Sequence, residues 1–440
     1  MDPFLIGLLS FPVLLALIFL RIPIGLAMLA VGLAGNWLVI GSPMVILNQL
    51  KSQPVGTFSS YSLSIVPMFL LMGQFATISG MSAALFRAAE AWIGHRKGGV
   101  AMAAIGACAG FGAICGSSMA TAATMGQAAL PQLRKYGYSN ALAGGTLAAG
   151  GTLGVLIPPS VILVIYAILT EQNIAKLFMA ALIPGILAAV GYMVAIRLYV
   201  GLYPASARSR HRAAMAERCQ SLRDTLPVLG VFVLVVGGIY TGIFTPTEAA
   251  AIGAALTGIL ALLSGSLGLG ALRIAILDVG RTTAMIFIII LGAAVFNNFL
   301  ALAQVPQSIA MMIGEIGLSP WFVLTIILLL YLVLGCVMDS LAMILLTVPI
   351  FFPILSGMDF GMGAEDFALW FGILVLIVVE VGLITPPVGM NLFVIKAMAP
   401  EITMAEMFRG ALPFVMTDMV RVVVLVMFPS ITLGLVWLFY

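Results

Sequence analysis

The sequence predicts an all-α polytopic membrane protein built of inverted repeats, each with a re-entrant helical hairpin and a discontinuous helix. Three observations lead there. Hydrophobic residues make up 62% of the 440 residues and charged ones 8%, against roughly 45–50% and about 25% in soluble proteins, so no water-facing surface can be covered. Two polar, glycine-flanked stretches interrupt the apolar runs with one grammar: Ser118 stands thirteen residues before Pro131 and Ser340 thirteen before Pro353, while Gly154 and Gly382 each precede a Pro-Pro pair by four. Finally, the basic residues flank the first interruption but not the second, which by the positive-inside rule turns the two repeats opposite ways in the bilayer.

At roughly 20 residues per span, the chain has room for ten or more spans and short loops. Phe4–Leu20 and Ile24–Ile40 are predicted as two spans joined at Arg21, the first an uncleaved helix because it lacks a basic leading region. A short loop containing Lys51 is expected next. Pro67–Ile78 belongs to a third span, and Ala83–Ile93, carrying Arg87 and Glu90, is too charged to cross and is expected to lie at the membrane face. Gly98–Ile114 and Ser118–Leu133 are short arms with basic outer ends, Arg96-Lys97 and Arg134-Lys135, which predicts a hairpin with its tip at Gly116-Ser117-Ser118. Asn140–Leu169 is a longer segment broken at Pro158-Pro159, where proline removes amide donors and leaves nearby carbonyls without helical partners. Ile174–Tyr199 is another span, the arginine-rich loop at 201–223 divides the halves, and Leu226–Ile243 and Glu248–Leu263 follow.

The second half repeats the first: a span (Ala275–Leu300), a short segment (Ser308–Ile316), a hairpin (Trp321–Pro353), a broken span (Phe367–Lys396) and a last span (Met407–Leu438). The resulting division is 1–54, N-terminal scaffold helices; 55–200, first repeat, with hairpin 98–133 and broken helix 140–169; 201–273, basic loop and linking helices; and 274–440, second repeat, with hairpin 320–353 and broken helix 366–397. Setting aside Lys51, Lys176 and Arg421, the other sixteen of nineteen Lys and Arg residues fall on the cytoplasmic side, which puts both termini outside the cytoplasm. Spans at 174–199, 226–263 and 407–438, with the first two helices, are expected to form a static scaffold.

Several function classes are excluded on composition. His95 and His211 both sit in polar loops, leaving no His-based metal cluster and no Ser/His/Asp triad, so no enzyme and no cofactor are expected. The net charge of +3 is accounted for by short loops rather than a nucleic-acid surface. Cys108, Cys115, Cys219 and Cys336 form no CxxC pair and are expected as small buried residues or, for Cys219, a loop thiol.

Interruptions at corresponding places in two halves point to a transport site, because unwound backbone and hydroxyls supply oxygens to a coupling ion. Gly116, Ser117 and Ser118 with Gly154 and Pro158 make one candidate site; Gly335, Asp339 and Ser340 with Thr385 and Pro386 make the other, with Ser118, Asp339, Ser340 and Thr385 as the sodium ligands. Helix N-termini starting at the tips would suit an anion. Small serines also serve helix packing, and the matched spacing favours binding over that reading. Asp339 stands out because an acid at membrane depth usually faces a site. Glu380 and Glu248 are further candidates, Glu248 doubling as a helix-start charge, and Asp418 and Arg421 are placed to pair on one helix face.

At these residues the chain resembles the large membrane subunit of tripartite ATP-independent periplasmic (TRAP) transporters, DctM type. The resemblance runs over essentially the whole length through GSSMATAATMGQAALPQL (Gly116–Leu133), GGTLGVLIPPS (Gly150–Ser160), GIFTPTEAAAIG (Gly242–Gly253) and GLITPPVGMN (Gly382–Asn391). It implies an ion-transporter-like, elevator-type carrier of the bacterial inner membrane, coupled to Na+, importing an organic acid anion such as a C4-dicarboxylate or sialic acid. It also implies two separate partners, a small membrane subunit and a soluble periplasmic substrate-binding protein. A self-sufficient sodium/dicarboxylate carrier and an anion channel are the competing readings.

Overall fold

The computed structural model describes residues 2–440, apart from the side chains of Val45 and Ala310. Three helices open it, α1 (Pro3–Phe19), α2 (Ile24–Ile40) and α3 (Pro43–Phe58). The first repeat comprises α4 (Ile65–Ile78), α5 (Met81–Ile93), the hairpin α6 (Gly99–Cys115) and α7 (Ser118–Lys135), the broken helix α8 (Asn140–Leu156) and α9 (Val161–Leu169), and α10 (Ile174–Leu202). Two linking helices, α11 (Met215–Tyr240) and α12 (Pro246–Leu263), lead to α13 (Leu269–Leu302) and α14 (Val305–Ile316). The hairpin α15 (Pro320–Gly335) and α16 (Ser340–Ser356), the broken helix α17 (Ala364–Gly382) and α18 (Met390–Met398), and α19 (Met404–Met427) with α20 (Ser430–Phe439) complete the second repeat. Six helices among the described residues are long and apolar enough to cross a membrane. α8 and α9 meet at a bend of 45°.

The two broken helices form the centre. Every residue of α8 from Leu142 to Leu156 and every residue of α17 from Phe367 to Gly382 is buried, as expected of helices that are apolar all round. α6, α7 and α19 pack around α8, and α15 packs along α17. α11 and α13 instead leave wide apolar faces such as Val233, Ile274 and Ile276 exposed, which suits lipid contact. Close approach is achieved with small residues, as in membrane bundles generally: α2 meets α13 through Gly25, where an added Cβ would stand 2.8 Å from the Ile288 backbone.

Two expectations are corrected. Lys51 lies in α3, a 16-residue helix, and not in a short loop; its polar composition hides it from a hydropathy pattern, and Pro43 at its start is compatible with helix. The last span is interrupted, ending at Met427 before Pro429 and resuming at Ser430, because proline withholds a backbone donor. The helices covering 174–199 and 407–438, expected as scaffold, pack closely against the broken helices. α10 and α19 pack directly on α8 and α17, and Tyr192 of α10 donates to Asp418 of α19 at 2.6 Å while contacting Thr152 of α8 at 3.1 Å. Asp418 and Arg421 do pair, at 2.8 Å, but deep inside the bundle, with Arg421 also donating to the Pro184 carbonyl at 3.3 Å.

The arginine-rich loop packs on the base of the first hairpin. The Ser139 N–H donates to the Ser206 carbonyl at 2.8 Å and the Arg210 N–H to the Gly94 carbonyl at 3.2 Å. Arg210 also pairs with Glu90 at 3.5 Å and with Glu217. Glu248 closes a capping box with Thr245 at the start of α12, the Thr245 N–H donating to its carboxylate at 2.8 Å, a helix-start role.

Candidate functional site between the hairpin tips

The first tip is compact. α6 ends at Cys115, Gly116 takes a left-handed conformation with φ of +65°, and Ser117 caps α7, its hydroxyl accepting from the Ala120 N–H at 3.4 Å. Gly116 is the residue that tolerates this φ without strain. The tip lies against the break that follows α8: a Cβ on Gly116 would stand 3.4 Å from the Pro159 carbonyl oxygen, and one on Gly154 would stand 2.8 Å from the Ser117 carbonyl oxygen. Gly112 and Gly154 meet backbone to backbone. A side chain at Gly112 or Gly154 would part the hairpin from the broken helix. Pro158 lies within the break, joined to Pro159 by a cis peptide bond.

The second tip is longer. α15 ends at Gly335, and Asp339 caps α16 by accepting from the Ala342 N–H at 3.0 Å. Here too glycines bring hairpin and break together, a Cβ on Gly382 standing 2.5 Å from the Gly335 backbone. The Gly389 N–H at the far end of the break donates to the Cys336 carbonyl at 3.2 Å. Thr385 turns its hydroxyl back to the Val381 carbonyl at 2.6 Å, and Pro386 is exposed.

Both tips open on one cavity of about 220 Å³, lined by Gly116, Ser117 and Ser118 from the first and Asp339 and Ser340 from the second, with Thr282 and Met285 of α13 closing one side. The N-termini of α7 and α16 therefore start at the same space, and their unpaired N–H groups supply positive potential there. Of the sequence-predicted residues, these five line the cavity. Gly154 and Gly335 act by permitting close approach, and Pro158, Thr385 and Pro386 lie in the breaks behind it.

Other polar residues were less legible. Asn391, fully buried at the start of α18, donates to the Ala148 carbonyl of α8 at 3.2 Å and so bridges the two repeats; its place directly after the second Pro-Pro break was an available signal. Thr121, one turn into α7, has a buried hydroxyl without a partner among the described residues and faces Gly154. Thr282 carries no signal, being an ordinary residue of a long span. Glu380 accepts from the Ser340 hydroxyl at 2.5 Å, a contact that local spacing does not reveal.

Comparison with known proteins places this architecture. Residues 11–431 match the model for the tripartite ATP-independent periplasmic transporter, DctM component. The chain is 38% identical over 380 residues to the C4-dicarboxylate TRAP transporter large permease protein DctM of Pseudomonas aeruginosa, covering 86% of this chain and 87% of that one. It is 32% identical to the sialic acid TRAP transporter large permease protein SiaM of Vibrio cholerae, covering 97% of each. Its fold is similar to that of the Alcanivorax borkumensis YdaH transporter, with a TM-score of 0.65 at 16% identity over 88% of this chain and 90% of that one. The near-complete family match, the paired hairpins and the paired breaks together make this chain a member of the DctM-component family of tripartite ATP-independent periplasmic transporters, a family of membrane transport proteins rather than enzymes.

Proposed function

We propose that this chain is the permease of a sodium-coupled importer of an organic acid anion, working in the bacterial inner membrane with both termini periplasmic. The observation that carries the reading is the shared cavity: two helix N-termini and two sets of tip oxygens converge on one space between inverted repeats. An anionic substrate is favoured by the N-termini, while coupling cations are favoured by the hydroxyls, carboxylates and free carbonyls of the tips and breaks. Ser118 with the Gly154–Pro158 break serves one ion, and Asp339 and Ser340 with the Thr385–Pro386 break serve the other. The relatives named for C4-dicarboxylate and for sialic acid support the substrate class. Substrate reaches the cavity from a periplasmic binding protein, and a small membrane subunit completes the assembly. The hairpins and broken helices move as one body in an elevator cycle, and α10 and α19, locked to α8 through Tyr192 and Asp418, move with them.

The deciding experiment is uptake of candidate acids into proteoliposomes holding this chain, with and without the two partner proteins and with and without a sodium gradient. Uptake is expected only with all components and inward sodium. Full sodium-driven uptake by the chain alone would make it a self-sufficient carrier, and flux indifferent to sodium would make it an anion channel.

A further inference from the structure

The cavity between the tips is polar where the tip helices begin and apolar along the rest of its wall. Ser117 accepts from the Ala120 N–H, which leaves its own O–H free to donate. The first backbone bonds of α7 and α16 run from the Thr121 N–H to the Ser117 carbonyl and from the Met343 N–H to the Asp339 carbonyl. The N–H groups of Ser118, Met119, Ser340 and Leu341 precede them and are open to a ligand. The Ser340 hydroxyl is already engaged, donating to Glu380 at 2.5 Å. The remaining wall is made by Leu70 of α4, Met285 and Ile286 of α13, Ile162 of α9, and the side chains of Met119 and Leu341. Thr282 adds one hydroxyl to it, and among the described residues no Lys, Arg or His lines the cavity.

Charge and size each limit what fits. A helix N-terminus carries about half an elementary charge, so two together match about one carboxylate. The two coupling ions of the sodium-coupled reading are offset by two acids beside the second tip, Asp339 and Glu380. A second carboxylate on the substrate would lie against Leu70, Met285 and Ile286 with only Thr282 to bond, and an ionised carboxylate buried unpaired is costly. A polyhydroxylated sugar acid would leave several hydroxyls unsatisfied on the same wall. The volume of about 220 Å³ equals that of about seven waters at ~30 Å³ each, room for an acid of about five to seven carbons.

We infer that the substrate is a monocarboxylate with a short aliphatic tail. Its carboxylate sits on the Ser117 hydroxyl and the open N–H groups of the two tips, and its tail lies against Leu70, Met285 and Ile286. This class rests on the sodium-coupled import proposed above and narrows it, and it sets the chain apart from the relatives named for C4-dicarboxylate and sialic acid.

The purified full chain in detergent is titrated calorimetrically with straight-chain acids from acetate to decanoate, with succinate and with N-acetylneuraminate, each in sodium chloride and in choline chloride. In sodium, affinity is expected to rise about fourfold per added methylene up to about seven carbons and then to fall. Succinate and N-acetylneuraminate are expected to bind about tenfold or more weakly than hexanoate. Leu70→Ala is expected to weaken hexanoate about tenfold and to leave acetate unchanged. Succinate bound as tightly as hexanoate, or an affinity indifferent to chain length, overturns the monocarboxylate class, and if that binding needs sodium the sodium-coupled reading stands. An affinity that keeps rising through decanoate reports partition into the micelle and overturns the class as well. A chain-length optimum of equal strength in choline keeps the class and overturns the sodium coupling. Binding of no acid in either salt overturns both. Should Leu70→Ala fail to fold, the wild-type series decides by itself.

Discussion

The two halves share a sequence grammar and differ in chemistry. In the first, two residues, Gly116 and Ser117, separate the helices of the hairpin, and four, Ile157–Ser160, separate those of the broken helix. In the second the gaps are Cys336–Asp339 and Leu383–Gly389. Aligning each break on its Pro-Pro pair sets Thr152 opposite Glu380. Thr152 is neutral and bonded sideways to Tyr192, while Glu380 is acidic and bonded to the tip serine. The first half therefore holds its tip by close backbone packing and neutral oxygens. The second carries the formal charge, on longer connections. Duplication preserves geometry more readily than charge, because the spacing of glycine and proline sets where helices stop, whereas one carboxyl can be placed in one half alone.

Orientation gives the largest contrast. In a Cys219→Ser background, since Cys219 is the exposed cysteine, Met362→Cys is expected to react with an impermeant thiol reagent on spheroplasts whose outer membrane has been removed, and Arg212→Cys only after lysis. The reverse pattern, or the same pattern at both sites, would remove the inversion from the comparison.

Next in size is the anchoring of the first broken helix. Asp418→Ala leaves Arg421 buried without its partner, which costs about 3–5 kcal/mol in comparable buried pairs. A large fall in thermal stability is expected, with most of it recovered in Asp418→Leu combined with Arg421→Met. If the single variant were as stable as wild type, the link from Thr152 through Tyr192 to α19 would not be a structural tie.

At the tips the contrast becomes one of charge against a neutral oxygen. Loss of a good ligand to a charged group, about 1.5–3 kcal/mol, corresponds to roughly a 10- to 150-fold rise in the sodium concentration for half-maximal uptake. Asp339→Asn is expected toward the upper end and Ser118→Ala toward the lower, at equal membrane expression. Equal, unchanged half-saturation in both would reduce the tips to packing elements.

Thr385→Val is the smallest expected effect. Its hydroxyl bonds to the carbonyl of Val381 on its own helix, so its removal is expected to shift half-saturation only about fivefold, near 1 kcal/mol. A loss as large as that of Asp339→Asn would mean the hydroxyl turns to the ion during transport.

Local sequence determined the elements whose causes are local. The hairpin tips at Gly116–Ser118 and Asp339–Ser340, the breaks at both Pro-Pro pairs, and the capping box of Thr245 and Glu248 follow from backbone conformations and missing donors that neighbouring residues dictate. The membrane class followed from composition, since polarity is summed over the chain and needs no coordinates. Helix α3 escaped because its polar residues carry no apolar period, and the stop before Pro429 because the apolar run continues across it. What only the tertiary structure decided is which distant residues meet. The convergence of both tips on one cavity, the bond from Ser340 to Glu380 across 40 residues, the reach of Asn391 to Ala148 across 243, and the packing of α10 and α19 on the broken helices depend on how whole helices stack. Helix packing is set by shape summed along many turns, so no short window of residues contains it.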